Sequence, residues 1–387
     1  MNKLQATGPS AILLFVEYFL PGYKFGGPVQ AVANLVRLLK DTYTFFIVAR
    51  DRDVGDTQPY PNRPANCWLR QDGYWVRYLS PDQINHFNIN SLLTERPYRY
   101  VYTNSLFSRF TRQLLLTRTN IPLLLAPRGE LHPGALRLKA WKKRPYVWLL
   151  RHCKAKDIRW HATDAVEQQY IDTHFPGSQV RIAPDVPNRL PRRPLYQKQA
   201  GQVRLLWLAR IARNKGLLFL LNCLKQLPNQ SVTLDIYGPI ADTDYWHKCQ
   251  RLLNTLPTSC CVKYRGPLPY PLIGDTISQY DFLALPSDGE NFGHVIAESL
   301  SAGLPVLVSD QTPWQKLAEQ GAGWAIPLQP DAWLTVLQTC VDMPDVLYQT
   351  LVANAPLVVE SQSNLPAIAK QYNQLFTPEV FADEPVA

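Results

Sequence analysis

The chain has 387 residues, 46% of them hydrophobic, and its 40 Lys and Arg against 31 Asp and Glu give a formal net charge of +9. That length suits about two ordinary domains, and the hydrophobic content excludes wholesale disorder. No run reaches the ~18 apolar residues of a membrane helix, the N-terminus does not read as a signal peptide, and seven cysteines with no C-x-x-C pair read as reduced thiols.

In chain order, an apolar strand over 11–16 leads to a loop holding Gly26, Gly27 and Pro28, then a helix over 29–39 and a strand over 43–48. Strand, glycine loop, helix, strand is a βαβ unit. Pro28 suits a first helical turn, and Gly26 and Gly27 let backbone approach a ligand. Further strands are expected at 100–102, 122–126 and 158–161, then a helix capped by Thr163 or Asp164 and a last strand at 179–183. Residues 184–200 lack periodicity and are rich in Pro, Arg and Gln, so a linker is set at 186–200, between domains at 1–185 and 201–363. The pattern then restarts with a strand over 203–209, a loop over 210–216, a helix over 217–227 and a strand over 232–237 ending at Gly238. A helix over 242–256 follows, then strands at 261–264, 282–285, 306–308 and 323–326. Such alternation predicts a parallel sheet covered by helices, made twice: an α/β chain of two Rossmann-like domains facing each other across a cleft, with ligands at the carboxyl ends of the strands.

The chemistry concentrates in SDGENFGHVIAES at 287–299, where Glu290 and Glu298 stand across a loop-to-helix junction. Helical spacing is expected from Asn291, and eight helical residues would rise about 12 Å, so the carboxylates would share a face but not an atom. A glycosidase pair needs carboxyls about 5 to 9.5 Å apart and fits poorly. Between the glutamates, the backbone N–H groups of Asn291, Phe292 and Gly293, continuing to His294 and Val295, would face an anion. Carboxylate, anion cradle, carboxylate is the order of sugar, diphosphate, ribose. In the loop over 209–216, Arg210 and Lys215, with Arg213 as a third cation, sit where a departing diphosphate would gain charge.

This segment, following Pro286-Ser287 and continuing as ESLSAGLPVLVSD at 298–310, resembles the Glu-x7-Glu signature of retaining glycosyltransferases of family 4, which have the GT-B fold. The resemblance is strongest over 205–310. It implies that Arg210 and Lys215 grip the diphosphate, that Glu290 accepts hydrogen bonds from the transferred sugar, and that Glu298 binds ribose. It implies that loops at Gly238 and at 265–268 hold the base, with Leu268 a base contact, and that Gly26 and Gly27 lie beside donor phosphates or acceptor. A C-terminal helix over 364–376, in a tail at 364–387, would pack back on the first domain. The mechanism implied is front-face, with the diphosphate assisting acceptor deprotonation. Two departures concern the acceptor side. Where many members carry a histidine, this chain has Pro127-Arg128-Gly129-Glu130-Leu131-His132. Arg128 as a phosphate ligand, Glu130 as the group orienting an acceptor hydroxyl, His132 as a substitute, and an Arg128–Glu130 ion pair all stand open. The usual Pro-Asn-Gly loop is replaced by Pro184-Asp-Val-Pro-Asn188.

The positive charge collects in KAWKKRPYVWLLRHCKAK at 139–156, where Trp141, Tyr146, Trp148, Leu149 and Leu150 interleave with cations. One reading is peripheral contact with an anionic membrane; the other is a helix whose aromatic side is core. No recognised nucleic-acid motif is present, so no nucleic-acid partner is expected. Asp51-Arg52-Asp53 and Asp242-Thr243-Asp244 have the triplet form of metal-dependent glycosyltransferases, yet Asp242 also reads as a helix cap. With Arg210 and Lys215 in place, no metal is assigned, and no cofactor beyond a UDP- or GDP-linked co-substrate. His161 and His247 read as structural.

The expectation is a retaining, metal-independent hexosyltransferase. It would move a sugar from a nucleotide diphosphate to a glycan or lipid-linked acceptor in polysaccharide or glycoconjugate assembly. It would work in the cytoplasm or at the inner face of the cytoplasmic membrane. The alternatives are a nucleotide-sugar 2-epimerase of the same fold and, from another class, a basic nucleic-acid-binding or scaffold protein.

Overall fold

Apolar strands need cover on both faces, and here they assemble, with more polar strands toward the edges, into two separate sheets. The computed structural model describes residues 10–137, 139–153, 157–194, 196–227, 231–362 and 364–377. The first sheet contains β1 (Ser10–Phe15), β2 (Tyr43–Arg50), β3 (Trp68–Gln71), β4 (Tyr74–Leu79), β5 (Tyr100–Asn104), β6 (Leu123–Ala126), β7 (Ile158–Ala162) and β8 (Gln179–Ile182). Its order is β3-β4-β2-β1-β5-β6-β7-β8, and β3 is antiparallel to β4 while β1, β2 and β5 run parallel. Ile12, Leu13, Leu14 and Phe15 are fully buried, as a central parallel strand requires. Its helices are α1 (Gly27–Leu39), α2 (His86–Thr94), α3 (Arg109–Leu116), α4 (Pro133–Arg137), α5 (Ala140–Cys153) and α6 (Ala165–His174), the last capped by the Asp164 side chain. The β3–β4 hairpin and α2 are absent from the sequence expectation, although Asp72-Gly73, with Gly73 at φ 81°, is a strong hairpin-turn pair.

The second sheet contains β9 (Gln202–Leu208), β10 (Ser231–Tyr237), β11 (Cys260–Gly266), β12 (Phe282–Leu285), β13 (Val306–Ser309) and β14 (Gly323–Ile326), all parallel, in the order β11-β10-β9-β12-β13-β14. Its helices are α7 (Leu217–Gln226), α8 (Thr243–Leu253), α9 (Ile273–Ile277), α10 (His294–Ser301), α11 (Pro330–Asp342) and α12 (Asp345–Gln362). The helix expected over 242–256 is α8, shorter at its C-terminal end, with the Asp242 side chain accepting from the Tyr245 N–H. The last helix, α13 (Leu365–Leu375), places Ile368, Tyr372 and Leu375, with Phe376, in one apolar cluster with Tyr43, Phe45, Tyr100 and Tyr102.

The chain divides into two compact units: one holds residues up to Gly22, Ala31–Val186 and those from Leu365, the other Tyr23–Gln30 and Pro187–Asn364. The segment read as linker is docked on the second unit. The Leu190 N–H donates to Ser301 Oγ, the Arg193 N–H donates to the Ala302 carbonyl, and the buried Lys198 ammonium donates to the carbonyls of Gln199, Gln202, Val341 and Met343.

In the second sheet, β9 lies between β10 and β12, so the strand order reverses beside β9. Ligands of open α/β sheets bind outside the carboxyl ends of the strands at such a reversal. The loops that flank it are 209–216 after β9 and 286–293 after β12.

Candidate functional site

Glycines decide how closely these loops approach. Gly216 has φ 70°, and a Cβ there would lie 1.8 Å from the Pro286 carbonyl oxygen. Gly238 has φ 138°, and its Cβ would lie 1.8 Å from the Ala209 oxygen. The Asp288 N–H donates to the Asn214 carbonyl at 2.9 Å, which ties the β9 loop to the β12 loop.

That approach brings together three residues selected from the sequence. Lys215 Nζ lies 2.6 Å from Glu290 Oε1, with side chains only 16% and 12% exposed. Ser287 Oγ donates to the same carboxylate oxygen at 2.6 Å. Arg210 sets its guanidinium over the Phe25 ring, 5.3 Å from the centroid. Burial holds the Arg210 pKa below the ordinary arginine value, opposed by the Glu290 charge. Two cations therefore face one carboxylate, an arrangement suited to an anionic ligand.

The helix behind them begins later than expected. α10 opens at His294, because Gly293 adopts φ 80° and a Cβ there would come 2.8 Å from Ile296 Cδ1 and 3.3 Å from Trp314 Nε1. Asn291 and Phe292 lie outside the helix, and the Phe292 carbonyl accepts from Trp314 Nε1 at 2.7 Å. The N-terminal turn of α10 thus presents the N–H groups of His294 and Val295 as its leading donors, whereas those of Ile296 and Ala297 donate to the Gly293 carbonyl. Glu290 stands in a loop and Glu298 within α10, so the continuous helical rise expected between them does not apply.

His294 is buried, its ring 4.9 Å from that of Phe292, and a Cβ on Gly27 would come 3.2 Å from its Cδ2. Gly27 and Phe25 belong to the 23–30 segment of the same unit, with Gly26 at φ 78° beside them. Phe25 is a member of the site that sequence reasoning missed.

Glu298 is 3% exposed and accepts the Tyr270 hydroxyl at 3.0 Å. Burial pushes its pKa up to about 7, opposed by His294 and by the Tyr270 bond. Tyr270 opens a 3-10 turn (Tyr270–Leu272) after β11, and its hydroxyl also receives a hydrogen bond from Asn188 Nδ2. The Gly238 N–H donates to the Gly266 carbonyl at 2.9 Å, and the Tyr264 hydroxyl donates to the Gly238 carbonyl at 2.9 Å, fixing the two loops proposed for the base. Leu268 packs half-buried against the core of this unit.

Of the readings left open for residues 127–132, the ion pair is the one the structure contradicts. Arg128 and Glu130 do not pair with each other. Arg128, at φ 58° and with its side chain 7% exposed, donates to Asp185, to Asn104 Oδ1 at 2.8 Å and to the Tyr102 hydroxyl at 2.9 Å. Glu130 accepts from Ser105 Oγ at 2.7 Å and from the Phe107 N–H at 3.1 Å. Both side chains thereby hold the carboxyl ends of β5 and β6 and the loop that leads to α3. His132 is exposed, its ring against Tyr170.

Neither aspartate triplet is an open carboxylate pair. Asp51 is paired with Arg52, Asp53 accepts from the Val54 N–H, and Asp242 caps α8 while pairing with Arg213. Among the described residues, no cluster of three or more His, Cys, Asp or Glu could hold a metal ion. His161 lies in the core, bonded to the Tyr102 hydroxyl and the Ala183 carbonyl, and its pKa is pushed down to about 3 by burial and by Arg128.

On α5 the aromatic residues divide. Trp141 is 75% exposed, Trp148 62% and Leu149 53%, while Tyr146 packs half-buried against the core beside the buried Val147 and Leu150. Residues 154–156 of the same basic stretch lie outside the described residues. No described helix is long and apolar enough to cross a membrane.

Residues 202–343 match the family model described as glycosyl transferases group 1. No curated protein matches the chain in sequence. Among solved structures, the chain is similar to sucrose-phosphate synthase from Thermosynechococcus elongatus, with a TM-score of 0.75 at 18% identity over 97% of this chain and 100% of that one. It is similar to HepE of Anabaena in complex with UDP and glucose, with a TM-score of 0.68 at 18% identity over 95% of this chain and 99% of that one. It is also similar to WaaG, a glycosyltransferase involved in lipopolysaccharide biosynthesis, with a TM-score of 0.67 at 14% identity over 95% and 100% of the two chains. These likenesses establish the GT-B fold, two parallel-sheet α/β domains.

Proposed function

We propose that this chain, whose residues 202–343 match the model of glycosyl transferases group 1, is a retaining, metal-independent transferase that moves a sugar from a nucleotide diphosphate to a glycan or lipid-linked acceptor. The observation that carries this reading is the meeting of Arg210, Lys215 and Glu290 at the strand-order reversal, in the same unit as the N-terminus of α10 and the buried Glu298. The diphosphate lies on the leading N–H groups of α10, with Arg210 and Lys215 as its cations. Glu290 receives hydroxyls of the sugar, and Glu298 receives ribose.

In the transfer, the bond from the anomeric carbon to the β-phosphate oxygen breaks and its electron pair goes to that oxygen. The acceptor oxygen bonds to the same face of the carbon, and its proton passes to the departing phosphate. Charge thus grows beside Arg210 and Lys215, and donors aimed where charge develops stabilise the transition state more than the ground state. Two fixed cations supply the neutralisation for which other transferases use a metal, so no metal is required. UDP is the first nucleotide to try, since HepE holds it.

The exposed tryptophans of α5 stand among Lys142, Arg144 and Arg151. This combination supports contact with an anionic bilayer, where indoles settle at the headgroups and cations meet lipid phosphates, and it favours work at the inner face of the cytoplasmic membrane.

The test is incubation with UDP- and GDP-sugars, with and without a lipid-linked glycan extract, following nucleoside diphosphate and product anomer in EDTA. Acceptor-dependent release with retained configuration, undiminished by EDTA, is expected. A new sugar nucleotide formed without acceptor would establish the epimerase instead, and activity restored by manganese would return a metal to the site.

A further inference from the structure

We propose that Tyr270 is a positioning residue for the donor: its hydroxyl, anchored by Asn188, holds the buried Glu298 carboxylate in the orientation that receives ribose. The inference rests on the donor reading above and deepens it. Nothing in the sequence singled Tyr270 out, since it lies 28 residues from Glu298.

The geometry has three parts. Tyr270 sits between Pro269 and Pro271 at the start of a 3-10 turn, so fixed φ angles on both sides stiffen its backbone. Its hydroxyl donates to Glu298 Oε1 at 3.0 Å and accepts from Asn188 Nδ2, so one oxygen bridges the segment after Val186 to the donor helix. That segment is bonded to α10 again at Leu190–Ser301 and at Arg193–Ala302, so Asn188 is itself fixed relative to Glu298. An ionised carboxylate has about four acceptor positions, and one bond from Tyr270 leaves room for ribose hydroxyls.

The charge of Glu298 matters for the same reason. The titratable groups that act on it are His294, one turn earlier on α10, and Tyr270; both favour the ionised form, against a burial that favours the protonated one. The ionised form accepts from ribose hydroxyls more strongly, and protonation turns one of its oxygens into a donor, so affinity falls as pH drops through the carboxyl's pKa near 7. Deleting the Tyr270 bond removes one of the two influences that hold that pKa down. In Tyr270→Phe the loss of affinity therefore begins at higher pH.

Isothermal titration with UDP, over about pH 6 to 9 to bracket Glu298, gives the readout. Tyr270→Phe is expected to weaken UDP about tenfold or more near neutrality. The ratio of its Kd to that of the wild type, in which the ionisation of UDP cancels, is expected to shrink toward alkaline pH. Asn188→Ala moves the same way by less, and Tyr270→Phe added to Glu298→Gln has no further effect. Tyr270→Phe binding UDP like the wild type across the range, or weakening it equally in the Glu298→Gln background, overturns the proposal. If the wild type binds none of UDP, GDP and ADP, the donor reading falls and takes this inference with it.

Discussion

Lys215→Ala separates what the Lys215–Glu290 pair does for the fold from what it does for the reaction. The ammonium lies 2.6 Å from Glu290 Oε1, with both side chains largely buried. Removing one partner of a fully buried pair costs about 3–5 kcal/mol, because a charge is left without its counterpart. Here Ser287 Oγ still donates to the carboxylate at 2.6 Å and the side chains keep 16% and 12% exposure, so a loss of about 1–3 kcal/mol is expected. The effect on turnover is separate and larger, since deletion of one donor at a developing oxyanion typically costs about 2.7–4 kcal/mol, or a hundredfold and more in rate. Adding Glu290→Gln to Lys215→Ala removes the stranded charge and restores most of the melting temperature, while transfer stays lost. UDP release from UDP-glucose and thermal melts of the wild type and these two variants make the comparison. Near-normal turnover in Lys215→Ala, or recovered turnover in the double variant, would refute the assignment of Lys215 to the diphosphate.

Three further expectations follow from the same site and its surroundings. Glu298→Ala should weaken UDP binding by about 1.5–3 kcal/mol, while Glu290→Ala should leave it nearly unchanged and abolish transfer; equal weakening in titrations of both would mean the donor lies the other way round. Gly216→Ala should lower the melting temperature well beyond Gly177→Ala, since both have positive φ but only at Gly216 would the methyl meet a backbone carbonyl at 1.8 Å; equal melts would contradict the loop packing. Trp141→Ala with Trp148→Ala should reduce sedimentation with phosphatidylglycerol vesicles, in a manner sensitive to salt, and leave UDP affinity intact; unchanged sedimentation would remove α5 from the membrane contact.

Much of the architecture is legible because buried parallel strands announce themselves. The runs at 43–48, 203–209 and 282–285 are apolar and bounded by turn residues, and they fall on β2, β9 and β12 with shifts of a residue or two. The β3–β4 hairpin escaped because β3 is short, largely polar-edged and only partly covered, so its pattern carries little burial signal. The opening of α10 was misplaced for another reason. The residues from Asn291 have helical spacing, yet Gly293 is turned into the left-handed region where Trp314 and Ile296 crowd it, and a pattern confined to 287–302 holds no trace of Trp314.

The sequence by itself determined the α/β class, the position of the strand exits, and which cations and carboxylates stand there. Its local order suffices for this, because periodicity, glycine and proline act within a few residues. Only the tertiary structure decided that Lys215 meets Glu290, 75 residues away, that Arg210 lies over Phe25, that Tyr270 holds Glu298, and that Arg128 is held by Asp185 and Tyr102. Those pairings depend on strand order and on helices packed over it, which set β9 beside β12 and bring distant loops to one edge. Burial then fixes the partner of each charge, since a charge taken out of water must find its counterpart among whatever residues the fold has brought within reach.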